Sequence, residues 1–359
     1  MTTRSNAATS EQALFAADPP KLSTAEARSL AEQVYGLAAQ VQLLSSERDQ
    51  NFQLRLDDGR AFVLKVTHPA EDPAVTDFQT QAQLHVMRAD GALPVPHLFP
   101  SRDGAYVHWH EGPDGTRRAV RLMAFLEGVP LYKAARSAGQ GAAIGHALAS
   151  FDLALADFDH PMAGHELLWD LQHADRLADL LARIGEADRR ALAERHMERF
   201  RSRVRPALAG LRRQVIHNDL NPYNMMVHPR DPARVAAILD FGDMVRAPLA
   251  QDLAVACAYR LEDEGELLSQ ATPLVASYHR ALPLAETEIA LLPDLIAARL
   301  LITVAITGWR AEQHPENRTY ILRNNGLAWS GLARLDALPL SQVQDVLFNA
   351  CRTTLENPA

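Results

Sequence analysis

Two short apolar runs, Met225-Met226-Val227 and Val235-Ala236-Ala237-Ile238-Leu239, are separated by a polar, proline-containing turn and read as the strands of a hairpin. Asn224 stands directly before the first run and Asp240 directly after the second, so the pairing predicts an amide and a carboxylate at one edge. Upstream, the segment Val215-Ile216-His217-Asn218-Asp219-Leu220-Asn221-Pro222-Tyr223-Asn224 adds a second carboxylate, Asp219. Downstream, Asp240 opens Asp240-Phe241-Gly242. A polar turn between buried strands could carry carboxylates by chance. Two motifs in fixed order and at fixed distance are far more specific than either alone.

The chemistry that needs this set is phosphoryl transfer. A catalytic loop His-x-Asp-x-x-x-x-Asn followed by Asp-Phe-Gly supplies a carboxylate for the acceptor's hydroxyl proton and two oxygen ligands for magnesium. Asp219 and Asn224 have that spacing, and Asp240 is the matching metal ligand. A phosphoryl group in flight needs little covalent help, so the task is to place a hydroxyl, an in-line phosphate and a hard cation together.

A nucleotide-binding half is legible upstream. Ser23 with Glu26 is a capping box that predicts a helix over residues 23–37. Strands are predicted over 41–45, 52–56 and 61–66, the last two joined by the hairpin signal Asp57-Asp58-Gly59. A helix is predicted over 74–88, then strands over 106–110 and 119–125 joined through Gly112-Pro113-Asp114-Gly115. Beyond Leu131 the pattern is helical apart from the hairpin. These elements predict an α+β, two-lobed fold: a disordered tail over 1–22, a small antiparallel-sheet N-lobe over 23–126, and a large helical C-lobe over 127–359. Lys65, a lone lysine inside the third strand, is the candidate for the nucleotide's α and β phosphates. An edge-strand lysine facing solvent is the plain alternative.

Composition narrows the class. A formal charge of -8 argues against general affinity for nucleic acid or anionic membranes. Two cysteines, Cys257 and Cys351, give no disulfide framework and suit a reducing, cytoplasmic setting. Residues 1–20 lack the basic start and apolar core of a signal peptide. The apolar stretch 291–309 is broken by Pro293, Asp294 and Arg299, which predicts a buried helix rather than a membrane span.

The chain resembles the aminoglycoside phosphotransferase superfamily, the small-molecule branch of the protein-kinase-like fold. His217-Asn218-Asp219-Leu220-Asn221 and Ile238-Leu239-Asp240-Phe241-Gly242-Asp243-Met244 are similar to the hydroxylysine kinase group, as are Leu168-Trp169-Asp170-Leu171 and His314-Pro315-Glu316-Asn317-Arg318. The resemblance covers residues 23–338. It implies phosphorylation of a hydroxyl on a small amino alcohol or hydroxy amino acid, hydroxylysine first, with Mg2+ and with ATP or GTP as donor. It further implies Asp219 as base, His217 as orienter or loop support, Asn224 and Asp240 as metal ligands, and backbone groups around Met123 and Phe125 as purine contacts. Homoserine, choline and aminoglycosides remain alternative acceptors. A nucleotide-binding pseudokinase without turnover is the alternative of another class.

Three departures from the pattern have chemical consequences. The loop expected to cover the phosphates, Ser45-Ser46-Glu47-Arg48-Asp49-Gln50-Asn51, has no glycine, so hydroxyls such as Ser45 and Ser46 would replace a backbone cradle. The helix after Lys65 has no glutamate over 77–88; Gln81 has the right separation and would hydrogen-bond the ammonium without neutralising it. Only eleven residues separate Asp240 from Asp252, which leaves no room for a long activation loop. Asp252 reads as a helix cap or a brace for the catalytic loop. For the acceptor, the candidates are Arg299 and Arg310, on one helical face and suited to a carboxylate, together with Trp169, Asp170 and Asp243. Each has a plain reading as well: a salt bridge for the arginines, core for Trp169 and a helix cap for Asp170. His108-Trp109-His110 and the basic run 189–213 read as an ordinary strand and a solvated helix face.

Overall fold

A computed structural model of the chain describes residues 21–46, 48–112, 115–137 and 139–356. The tail expected to be disordered therefore lies almost wholly outside the described residues, as do Glu47 of the phosphate loop and Pro113-Asp114 of the turn. The fold divides into two compact units. The first holds the described residues up to Gly128 together with His160–Leu168 and Ala236–Gly242; the second holds Val129–Asp159, Trp169–Val235 and the rest of the chain from Asp243. The sequence division at 126–128 thus assigns Asp240-Phe241-Gly242 to the C-lobe, whereas the segment packs as part of the first unit.

The first unit is an antiparallel sheet. Strands β1 (Gln40–Leu44), β2 (Gln50–Arg55), β3 (Ala61–Val66), β4 (Leu98–Phe99), β5 (His108–Glu111) and β6 (Arg117–Ala124) run in the order β1-β2-β3-β6-β4, with β5 also on β6. Period-2 alternation decides what each face does. In β3, Phe62, Leu64 and Val66 are buried in one cluster with Ala27, Leu30 and Ala31 of the N-terminal helical segment. Lys65 therefore points to the opposite face, as does Arg121, its partner across the β3–β6 ladder. The capping box at Ser23 is present, but after α1 (Thr24–Leu30) the helix widens to a π-turn over Ala31–Tyr35 and stops at Gly36, whose φ of 74° is left-handed. Helix α2 (Pro73–Ala89) buries Thr76, Gln79, Thr80 and Gln83.

The second unit is mainly helical around α3 (Gln140–Ala154), α4 (Ala187–Arg199), α5 (Leu249–Ala258), α6 (Ala271–Ala281), α7 (Glu286–Gln313), α8 (Asn325–Ala337) and α9 (Leu340–Glu356). Helix α7 is long and apolar enough to span a membrane, yet 94% of its most apolar window is buried, so its composition is that of a core helix. Strands β7 (Val129–Pro130), β9 (Met225–His228) and β10 (Asp231–Ile238) form one small sheet in the order β10-β9-β7, so the expected hairpin is present. A second pair, β8 (Arg213–Ile216) with β11 (Val245–Pro248), was not expected: four-residue strands such as Val-Arg-Ala-Pro carry too little alternation to be read.

Close helix packing in this unit depends on Gly145. A Cβ there would sit 2.1 Å from the Leu274 carbonyl oxygen on α6, and the clashing atom is backbone that cannot rotate away. Gly145→Ala should therefore force α3 and α6 apart and destabilise the protein by about 3 kcal/mol, measured as a drop in the denaturant midpoint; an unchanged midpoint would show that the helices can separate freely.

Candidate active site

The catalytic loop, residues 217–224, runs from the end of β8 to the start of β9. Its backbone is held from below by one buried carboxylate. Asp252, in the first turn of α5, accepts the amide N–H of His217 and of Asn218, each at 2.8 Å. The β8–β11 pair makes this possible, because β11 leads straight into α5 and so aims the helix's first turn at the loop. Asp252 is thus a brace; α5 starts after Pro248 without a side-chain cap. Burial raises the pKa of Asp252, offset by His217 and the two amide donors. Its neighbour Asp152, which accepts from Tyr278 Oη at 2.5 Å, is raised far more strongly, by burial and by the charge of Asp252. Two buried carboxylates in contact disfavour each other's charge, and the two amide donors favour the charged form of Asp252.

Braced in this way, Asn218 adopts φ of 65°, and the loop turns to present Asp219. Asn218 and Asp240 are the only non-glycine residues at positive φ among the described residues, and both fall in the two motifs. Left-handed backbone is tolerated best by Asn, Asp and Gly, and strain of this kind concentrates at functional sites. His217 is fully buried: its Nδ1 accepts the Asp219 amide N–H, and its ring lies edge-on to Phe151.

Both oxygens of Asp219 are engaged. Asn221 and Asn224 each donate an amide N–H to Oδ2 at 2.8 Å, and Asn224 also donates to the Asp219 carbonyl. With its nitrogen turned toward Asp219, Asn224 offers its amide oxygen as a ligand. Oδ1 receives Arg299 Nη2 at 2.5 Å, from α7, eighty residues away in sequence. Arg299 also donates to Tyr259 Oη at 3.0 Å, and its guanidinium lies 5.0 Å from the Trp169 ring. Burial pushes the Asp219 carboxyl up to about 6; Arg299 works against that shift and Asp243 adds to it. Burial alone would lower the pKa of Arg299, but Tyr259 and Asp219 outweigh it, so the guanidinium stays charged.

The first unit holds a separate charged cluster. Lys65 Nζ pairs with Asp49 Oδ2 at 2.8 Å and lies 3.6 Å from Asp240 Oδ1. Burial opposes the charge on both Lys65 and Asp49, yet their mutual attraction prevails: the lysine is raised and the aspartate lowered. Asp240 is half exposed, with Oδ1 also accepting the Gly242 amide N–H. Gln79 ties this segment to α2 by donating to the Gly242 carbonyl, and it accepts from Arg121.

Several sequence expectations are placed differently. Gln81 donates to Asp77, not to Lys65: the sheet-facing stripe of α2 is Thr76, Gln79, Thr80 and Gln83, and Gln81 falls outside it. The partner of Lys65 is Asp49, from the loop before β2. Asp170 is 1% exposed and caps a 3₁₀ turn, accepting from the Gln172 backbone and side chain and from Gln251, so it is committed to the fold and not open to an ammonium. Arg310 is buried on α7, but eleven residues of helix put it about 16 Å along the axis from Arg299, too far for both to grip one small carboxylate. Ser45 and Ser46 are exposed in the loop after β1. Met123 lies in β6 opposite Val63, and the Phe125 amide N–H is taken by the Ala61 carbonyl at 3.2 Å. Asp243 lies just before β11, its charge felt by Asp219 and Arg299. Tyr259, Asn221 and Asp49 were missed; only Asn221, inside the loop motif, carried a local signal.

The family model for the phosphotransferase enzyme family matches residues 40–289, well over half of the chain. Among curated proteins, the hydroxylysine kinase of Danio rerio is 27% identical over 345 residues, covering 93% of this chain and 97% of the relative. That of Mus musculus is 24% identical over 357 residues, covering 93% and 94%. Among solved structures, an amicoumacin kinase in complex with AMP-PNP and Ca2+ is similar with a TM-score of 0.66 at 13% identity, over 89% of this chain and 97% of that one. A microcompartment-associated aminopropanol kinase has a TM-score of 0.64 at 20% identity, over 90% and 99%. At these identities the structures show a shared fold, the two-lobed kinase-like one.

The brace sets a test of the loop's support. Asp252→Ala leaves two buried amide donors unpaired and should destabilise the protein by about 3 kcal/mol, while Asp252→Asn, whose amide oxygen still accepts, should lose less. Equal midpoints for the two variants in urea would mean that the loop stands without the brace.

Proposed function

The chain belongs to the phosphotransferase enzyme family, and from that premise we propose that it transfers the γ-phosphate of ATP or GTP to the hydroxyl of a small hydroxylated amine or amino acid, 5-hydroxylysine foremost. That it is a phosphotransferase acting on a hydroxyl group follows from the family match and the hydroxylysine kinase relatives. The acceptor is favoured by the same relatives, which match this chain nearly end to end.

The observation that carries the chemistry is Asp219, mostly but not fully buried, oriented by two asparagine amides and shifted toward neutral pH. In the reaction, the acceptor oxygen forms a bond to the γ-phosphorus while the bond from that phosphorus to the β–γ bridging oxygen breaks. The hydroxyl proton passes to Asp219, and the nucleoside diphosphate leaves with the bridging oxygen. Lys65, held by Asp49, is assigned to the α and β phosphates. Asn221 and Asn224 fix the rotamer of Asp219, and His217 supports the loop through its ring nitrogen.

Each of the two candidate ligands, taken by itself, has the chemistry that magnesium takes. Among the described residues no group of three or more His, Cys, Asp and Glu side chains is set to hold a metal. Asn224 offers an amide oxygen and Asp240 a half-exposed carboxylate, hard ligands of the kind magnesium takes once or twice while phosphates and water supply the rest. When bound, the ion would neutralise charge on the phosphates. Residues 243–251 form β11 and the start of α5, so control by a phosphorylated activation loop is not expected.

Release of the nucleoside diphosphate from ATP and from GTP, across hydroxylysine, homoserine, choline, ethanolamine and an aminoglycoside, tests the reading. Turnover should concentrate on hydroxylysine and fall about 10³-fold in Asp219→Asn; no turnover on any member of the panel would sink it. The pH profile adds a second check. Asp219 titrates near 6 in the folded protein and near 3.9 unfolded, so kcat/KM should fall as pH drops below about 6. The folded state binds the extra proton between those values, so this group's contribution to stability should decline as pH rises across that window. Asp219→Asn should abolish both trends.

A further inference from the structure

We propose that Arg299 selects acceptors that carry a carboxylate, and that it does so by exchange: the guanidinium leaves Asp219 for the acceptor's carboxylate, and Asp219 is thereby released to take the hydroxyl proton. This inference rests on the kinase reading above and names the substrate class more narrowly, as hydroxy amino acids rather than amino alcohols.

The state of Asp219 motivates it. Oδ2 already accepts from Asn221 and Asn224, which fills the two lone pairs of that oxygen. Only Oδ1 can meet an acceptor hydroxyl, and Oδ1 holds a charge-assisted hydrogen bond from Arg299 Nη2. A cation on the base opposes proton uptake, so the arrangement without substrate is a resting one. Oδ1 keeps a lone pair for the hydroxyl, but the guanidinium beside it lowers the proton affinity of the base, so proton uptake is favoured once the guanidinium moves to another anion.

The state of Arg299 says which anion. Its Nε and Nη2 both donate to Tyr259 Oη, at 3.3 and 3.0 Å, and the aromatic rings of Trp169 and Tyr259 lie near the guanidinium at 5.0 and 5.6 Å. Those contacts keep the group near its place when Asp219 is given up. Nη1 is buried and makes no hydrogen bond, an orphaned donor beside the one that Asp219 holds. The Nη1–Nη2 edge is the face of a guanidinium that a carboxylate engages with two parallel bonds, and a buried unpaired donor is destabilising until such a partner arrives. Arg310 cannot share the work at about 16 Å, so of these two arginines the selection falls on Arg299. A hydroxylated amine without a carboxylate leaves the ion pair closed, whatever its fit elsewhere.

The test compares 5-hydroxylysine with its carboxamide, which differs only in the charged group, by kcat and KM in the wild type and in Arg299→Gln and Arg299→Lys. The wild type should favour the acid by about 100-fold in kcat/KM, and because the exchange frees the base, part of the preference should lie in kcat. In Arg299→Gln the ratio of acid to carboxamide should collapse toward one, with Arg299→Lys keeping part of it. An arginine that only holds the fold would lower both acceptors together and leave the ratio intact, which overturns the proposal. Should the variants fail to fold, judged by nucleotide binding and the unfolding midpoint, the wild-type ratio decides, and equal turnover of acid and carboxamide overturns it. Turnover of both at the same rate sinks the exchange while leaving the kinase reading in place; nucleotide binding with no turnover of any hydroxylated amine removes the kinase reading and the exchange with it.

Discussion

One buried carboxylate carries the geometry of the reacting loop. Asp252 accepts two successive amide N–H groups, and this pins the backbone where it enters the left-handed region at Asn218. That conformation is unfavourable for a residue with a side chain and persists only when its surroundings over-determine it. Asp152, which interacts with Asp252, is pushed up by burial and accepts from Tyr278. A chain of buried polar groups thus converts helix packing into the position of a single oxygen on Asp219.

The first unit meets the same need by different means. Lys65, the proposed phosphate ligand, is held charged on a half-buried sheet face, which burial opposes. Asp49 and Asp240 supply the compensating charge, and Asp49 is fixed by accepting the His68 amide N–H. The partner thus comes from the loop at the strand's end, where the glycines of a phosphate cradle are absent, and α2 is left to bind Arg121 and the Gly242 carbonyl.

Legibility followed sequence distance. Strand β3 lay on the expected residues, and β1, β2 and α2 differed by one or two, because alternation and turn chemistry are local. The π-turn at Ala31–Tyr35 and the β8–β11 pair were not legible, since both depend on what the segment packs against. Gln81 shows how a correct element can give the wrong contact: the helix was placed, but its phase against the sheet put Gln79 and Thr80, not Gln81, opposite the charged face. Asp170 shows the reverse, a residue whose type suits an ammonium but whose burial and three donors leave no room for one.

By itself the sequence determined the family and pointed to the candidate reacting groups. A base, an amide ligand and a metal carboxylate must stand at set offsets around a hairpin, and offsets along one short stretch of chain survive in the sequence as a motif. The tertiary structure decided what each of those groups is paired with: Arg299 on Asp219 across eighty residues, Asp252 beneath the loop, and Asp49 on Lys65. Partners of this kind are set by the crossing of α7 and α5 with the loop and by strand register, and no local pattern of residue types records them, because any buried charge can be met by several residues until packing excludes all but one.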